Sequence, residues 1–146
     1  MLASTMDLLL TARRNVYAIG AFNIYNLEGV KAVVQAAETL SSPAMLQIHP
    51  GSLKFGGTAL VSLCMEAART SKVPISVHLD HSTSTSAIQQ ALNAGMTSVM
   101  ADGSPLPYSE NLSFTKQMTQ LAHSKGAAVE AEIGRISGSE DGLTVE

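Results

Sequence analysis

Five short apolar segments alternate with helical ones along this chain, and that alternation constrains the fold more than any other feature. The β-compatible segments are Val16 to Phe22, Ala44 to Ile48, Ile75 to Leu79, Thr97 to Ala101 and Ala127 to Ile133. A short amphipathic helix, from about Met6 to Arg14, precedes them. Between the strands, apolar residues recur at helical spacing, as in Leu27, Val30, Val33, Val34 and Ala37. Asn26 is placed to cap that helix, and Ser41-Ser42-Pro43 stops it. Gly56-Gly57 introduces the next helix, with Leu60, Leu63, Cys64 and Ala67 on one face. Ser82 to Ser86 reads as a capped helix start, and Asn93-Ala94-Gly95 as the end of that helix. A further helix runs from about Ser109 to Ser124. Gly134 to Gly142, polar and glycine-rich, reads as a loop.

Strict alternation with apolar strands means a parallel sheet covered by helices. Two architectures fit: a doubly wound open sheet, and part of a (β/α)8 barrel. Periodicity alone does not choose between them. The residues at the strand ends favour the barrel. Asn23, His49, Asp80 with His81, Asp102 and Glu132 each stand at or just past the carboxyl end of a successive strand. Barrel enzymes build their sites on that face, one contribution per strand, whereas an open sheet gathers ligand at one switch point. Neither GxGxxG nor GxxxxGK[ST] occurs, so the phosphate loops of nucleotide folds are absent.

Composition excludes several classes. Of 146 residues, 45% are hydrophobic and 14% charged, enough apolar material for a core and too little charge for a disordered chain. Net charge is -3, with no basic stripe for nucleic acid. No apolar run approaches the roughly 20 residues of a membrane span. The single cysteine, Cys64, rules out an internal disulfide and fits a reducing, cytoplasmic setting. Its helix face makes it a core residue. His123, in a late helical turn, reads as a surface or capping residue.

His78-Leu79-Asp80-His81 is the densest chemical segment. Strand parity points His78 and Asp80 one way, and His81, just past the strand, is freer to turn toward a metal. One histidine with carboxylates suits a divalent ion such as zinc. Glu130 and Glu132 share a face, and Glu130 reads as structural or supporting.

Gly20-Ala21-Phe22-Asn23, Val77-His78-Leu79-Asp80-His81, Ser98-Val99-Met100-Ala101-Asp102, Val129 to Gly134 and Gly138 to Gly142, in this order, resemble the class II metal-dependent ketose-bisphosphate aldolases. The fructose- and tagatose-bisphosphate branch looks closest. The resemblance implies an α/β fold, a partial (β/α)8 barrel with an N-terminal helix and about five of eight strands. Residues 1–146 would then be the N-terminal portion of one barrel domain. It implies His81 as a ligand of the catalytic Zn2+, with Asp102 and Glu132 at a second or alternate metal position. That leaves room for a second divalent or monovalent cation. It implies Asp80 as the acid/base at the C4 hydroxyl, Glu140 handling the proton on the three-carbon fragment, and Asn23 positioning substrate. His49 stands where the family often has a small hydroxyl residue assisting a phosphate, and Ser82 where the branch often has a second histidine. The substrate would be a phosphorylated sugar, with no nucleic-acid or membrane partner, and the full-length protein a homo-oligomer.

A complete barrel takes about 250 residues. The family's further zinc histidines lie on later strands, so the chain alone is expected to bind zinc weakly and to lack turnover. Two other readings stand beside this one: a non-catalytic aldolase-like module of a larger protein, and a complete small α/β domain without a site.

Overall fold

The computed structural model describes residues 1–134 in full and, beyond them, the backbone of Gly138–Glu140 and Leu143–Val145. The order is α1 (Thr5–Asn15), β1 (Gly20–Asn23), α2 (Leu27–Thr39), β2 (Ala44–Ile48), α3 (Pro50–Thr70), β3 (Ile75–Ser82), α4 (Thr85–Asn93), β4 (Ser98–Ala101), α5 (Tyr108–His123) and β5 (Ala128–Ala131). The five strands pair in sequential order, all parallel, as in a partial (β/α)8 barrel. Among the described residues no helix is long and apolar enough to cross a membrane.

Several boundaries follow caps legible in the sequence. Asn26 Oδ1 accepts from Gly29 N at 2.9 Å and opens α2. Ser84 Oγ accepts from Ala87 N and opens α4, and Gly95, at φ 91°, follows its end. Other boundaries moved. β1 begins at Gly20, not Val16, because a strand starts where its partner does: Gly20 pairs with Ala44, the first residue of β2. Val16 is instead the left-handed C-cap of α1, almost fully exposed. α3 starts at Pro50, a residue suited to a first turn, with His49 as its cap. Gly57, read as that helix's start, is a kink within it, at φ 56°. Gly134 to Gly142 is not all loop: β6 (Gly138–Glu140) pairs antiparallel with β7 (Leu143–Val145).

Strand parity divides the sheet into two chemistries. Ile75, Val77 and Leu79 of β3 face the helices, and with Leu46, Ile48, Val61, Cys64, Ile88 and Val99 they form the core. Burial pushes the Cys64 thiol up to about 12, so it is inert. His123, by contrast, is exposed in the last turn of α5. The opposite face of the sheet carries Asn23, Gln47, Ser76, His78, Ser98 and Glu130 where barrels usually hold branched aliphatics. α1 closes the lower end of this polar face. Ala3 N donates to Ile75 O and Ile75 N to Met1 O, both at 2.9 Å, and the Thr5 hydroxyl reaches Ser98 at 2.8 Å.

Candidate metal and acid-base site

Parity alone would send Asp80 and His81 to opposite faces of β3. The β3–β4 register removes that obstacle. His78 pairs with Ser98 and Leu79 with Val99, but the next pair is Ser82 with Ala101. One residue is therefore extra on β3, a β-bulge in which Asp80 and His81 together oppose Met100. His81 occupies the left-handed region at φ 38°, a conformation that costs a non-glycine residue about 1–2 kcal/mol. The bulge lies inside the strand, so His81 is not past its end as its sequence position suggested. It turns His81 into the same mouth as Asp80.

Asp80 is nearly buried, and two amides hold its carboxylate: Asn23 Nδ2 donates to Oδ2 at 3.2 Å and Gln47 Nε2 to Oδ1 at 3.1 Å. One comes from β1 and one from β2, so three strands fix this group. His81 Nδ1 lies 3.0 Å from Asp102 Oδ2 and 3.8 Å from Glu132 Oε2. A ligand atom from each of His81, Asp102 and Glu132 falls within 4.8 Å of the others, which is the spacing a divalent cation needs. The residues thus fit the metal that the resemblance implies.

The Asp102 carboxylate and the Glu132 backbone are each held from behind. Asp102 Oδ1 accepts from Ser104 N at 2.9 Å, and Asp102 N donates to Ser82 O. Burial works to raise the Asp102 pKa, but the Ser104 hydrogen bonds and the bond and charge of His81 outweigh it and hold the group below its ordinary value. Glu132 follows β5, and Asn111 Nδ2 of α5 donates to its carbonyl at 2.7 Å, with Thr115 Oγ1 bracing Asn111 Oδ1. A Cβ on Gly103 would lie 2.1 Å from Asn111 Oδ1, so the loop carrying Asp102 accepts only glycine beside that amide.

Beneath the mouth, Glu130 Oε2 lies 3.5 Å from the buried His78 Nε2. Burial lowers the His78 pKa to about 4, against the raising pull of Asp80. Burial raises Glu130, with repulsion from Asp80 and Glu132 adding to it and His81 opposing.

Comparison with known proteins places the chain as a whole in a family. Residues 3–146 match the family model described as fructose-bisphosphate aldolase class-II. The chain belongs to that aldolase family. A Thermus caldophilus protein named fructose-bisphosphate aldolase is 40% identical over 146 residues, all of this chain and 48% of that protein. The Klebsiella oxytoca D-tagatose-1,6-bisphosphate aldolase subunit GatY is 42% identical over 144 residues, 98% of this chain and 51% of the subunit. A solved structure from Coccidioides immitis, assigned as a fructose-1,6-bisphosphate aldolase, superposes with a TM-score of 0.90 at 39% identity, covering 96% of this chain and 50% of that one. The chain thus spans about half the length of the aldolases it matches.

Of the site residues expected from sequence, the structure brings together Asn23, Asp80, His81, Asp102 and Glu132. His49 stands apart as a helix cap, its Nδ1 accepting from Gly51 N at 3.1 Å. The side chain of Glu140 lies outside the described residues. Gln47 and Asn111 escaped sequence reading. Gln47 sits on an otherwise apolar strand, and its link to Asp80 exists only once β2 and β3 are in register. Asn111 gives no local signal at all.

Proposed function

We propose that this chain supplies the acid/base and part of the metal site of an enzyme that reversibly cleaves a ketose 1,6-bisphosphate, fructose or tagatose, into dihydroxyacetone phosphate and glyceraldehyde 3-phosphate. The observation that carries it is the bulge, which sets a tethered carboxylate beside a histidine–carboxylate cluster. On this reading residues 1–146 are the N-terminal part of one barrel, whose later strands complete the metal shell. Zinc held there by His81, with Asp102 and Glu132 close by, would supply Lewis acidity at the ketose carbonyl.

Asp80 takes the C4 hydroxyl proton in cleavage and returns it in condensation. Its two amide tethers, one on each oxygen, hold the carboxylate in a fixed orientation. Asn23, which holds it, also borders the substrate. His49 lies at the end of β2, where a phosphate arm would pass. Glu140 handles the proton on the three-carbon product. No lysine occurs in β1 to β5, so these strands offer no Schiff-base nucleophile.

The test is Asp80→Asn in a chain extended through the remaining strands. Cleavage should fall by at least about 100-fold with bound zinc unchanged. Near-normal cleavage would remove Asp80 from its role. The 146-residue chain alone should show weak zinc binding and no turnover; zinc-dependent cleavage by it would overturn the partial-barrel reading.

A further inference from the structure

We infer that His78 is a positioning residue of this site. A chain of hydroxyls from the Val77 backbone through Thr97, Thr5 and Ser98 fixes its ring as the Nδ1–H tautomer. The same chain pins the β3–β4 register directly below the bulge that delivers His81 to Asp102. The inference rests on reading His81 as a metal ligand, and it adds the device that places that ligand.

Hydrogen-bond direction along this chain is forced from one end. Thr97 Oγ1 lies 2.9 Å from Val77 O, an atom that can only accept, so Thr97 spends its proton there. Val77 N donates to the same Oγ1 at 3.0 Å. Thr97 therefore has only a lone pair to offer Thr5 Oγ1, 3.1 Å away, and Thr5 donates to it. Thr5 then accepts from Ser98 Oγ at 2.8 Å. Ser98, its proton spent, accepts from His78 Nδ1 at 2.8 Å. The ring must carry its hydrogen on Nδ1. Nε2 is then a bare lone pair; it is buried and makes no hydrogen bond among the described residues, the Glu130 Oε2 at 3.5 Å lying beyond the usual N–H···O distance, whereas the Nδ1–Ser98 contact is 2.8 Å.

The position of this chain gives it a purpose. His78 and Ser98 are register partners, and only Leu79–Val99 separates them from the bulge. β4 has four residues and few ladder bonds to resist a slip. One residue of slip moves a strand by about 3.3 Å and reverses every side chain. The His81–Asp102 contact, at 3.0 Å, would not survive it. A side-chain bond across the pair, continued into α1 through Thr5, resists that slip where backbone bonds alone do not. Burial, which keeps the ring neutral, is consistent with a fixed tautomer. The N-terminal helix thereby becomes part of the site it does not touch.

The test reads ring nitrogens by 15N NMR on the histidine-labelled, metal-free chain. His78 should be the Nδ1–H tautomer. In Thr5→Val, Ser98 loses its acceptor and can donate to His78, so the ring should switch to Nε2–H and the His81 resonances should shift. Thr5→Ser should restore both. Co2+ affinity should fall about tenfold in Thr5→Val and Ser98→Ala and recover in Thr5→Ser, the size expected for a group that orients a ligand. Val61→Ala, a core variant of α3, should lower stability without moving the tautomer. An Nε2–H ring in the unsubstituted chain overturns the inference. So does Thr5→Val with an unchanged His78 tautomer and His81 signal. The tautomer needs neither metal nor a variant. Failure of Co2+ to bind the unsubstituted chain would therefore count against the metal reading alone.

Discussion

Gly103→Ala should uncouple the two loops that carry Asp102 and Glu132. The added Cβ would lie 2.1 Å from Asn111 Oδ1, 2.4 Å from its Cγ and 3.1 Å from its Cβ. Gly103 is not in the left-handed region, so the whole penalty is steric. Asn111 cannot simply swing away, because its amide is buried, donates to Glu132 O at 2.7 Å and is braced by Thr115 at 3.0 Å. Overpacking of this kind costs about 1–3 kcal/mol. If the amide is pushed out, the partly buried Glu132 carbonyl loses its donor for about 1 kcal/mol more. The sum is about 2–4 kcal/mol. Urea unfolding measures it, and a double-mutant cycle with Asn111→Ala isolates the cause. Asn111→Ala removes Oδ1 and Cγ, so alanine at 103 in that background should cost about 1 kcal/mol or less. Co2+ affinity should drop about tenfold or more in either single variant, since Glu132 loses its anchor. Additive stability losses in the cycle would show that Gly103 and Asn111 do not meet, and would refute the argument.

His81→Gly should be more stable than His81→Ala by about 1 kcal/mol in urea, because only glycine takes the left-handed bulge position without strain, while both lose Co2+ binding. His78 stays neutral in the folded chain down to about pH 4, whereas the unfolded chain takes up its proton near 6.5. Unfolded protein thus binds more protons between these values, so stability should fall on acidification through that window, by up to about 3 kcal/mol. His78→Gln should flatten that part of the pH profile; an unchanged slope would refute it. Leu79→Ala, emptying a fully buried site behind the bulge, should cost about 2–5 kcal/mol in the same assay.

The alternation of strands and helices, the caps at Asn26 and Ser84, and the row of polar strand ends could be read without coordinates, because each is a local preference or a short-range pattern. So could the roles of Cys64 and His123, which follow from helix periodicity. The limits of β1 and α3 could not. Val16 has strand propensity but no strand opposite it, and Gly56-Gly57 has the look of a boundary but only kinks a helix already begun at Pro50. Parity in the sequence set His78 with Asp80 and left His81 to an unspecified turn. It took pairing between β3 and β4 to create the bulge that brings Asp80 and His81 to one mouth. Gln47, Asn111, Ser98 and Thr5 owe their roles to partners 20 to 93 positions away in the chain. Element types and the candidate polar strand ends follow from side-chain type and local spacing alone. Which of those residues meet depends on the folded chain, because register, a left-handed residue and a chain of hydroxyls are properties of contact between segments.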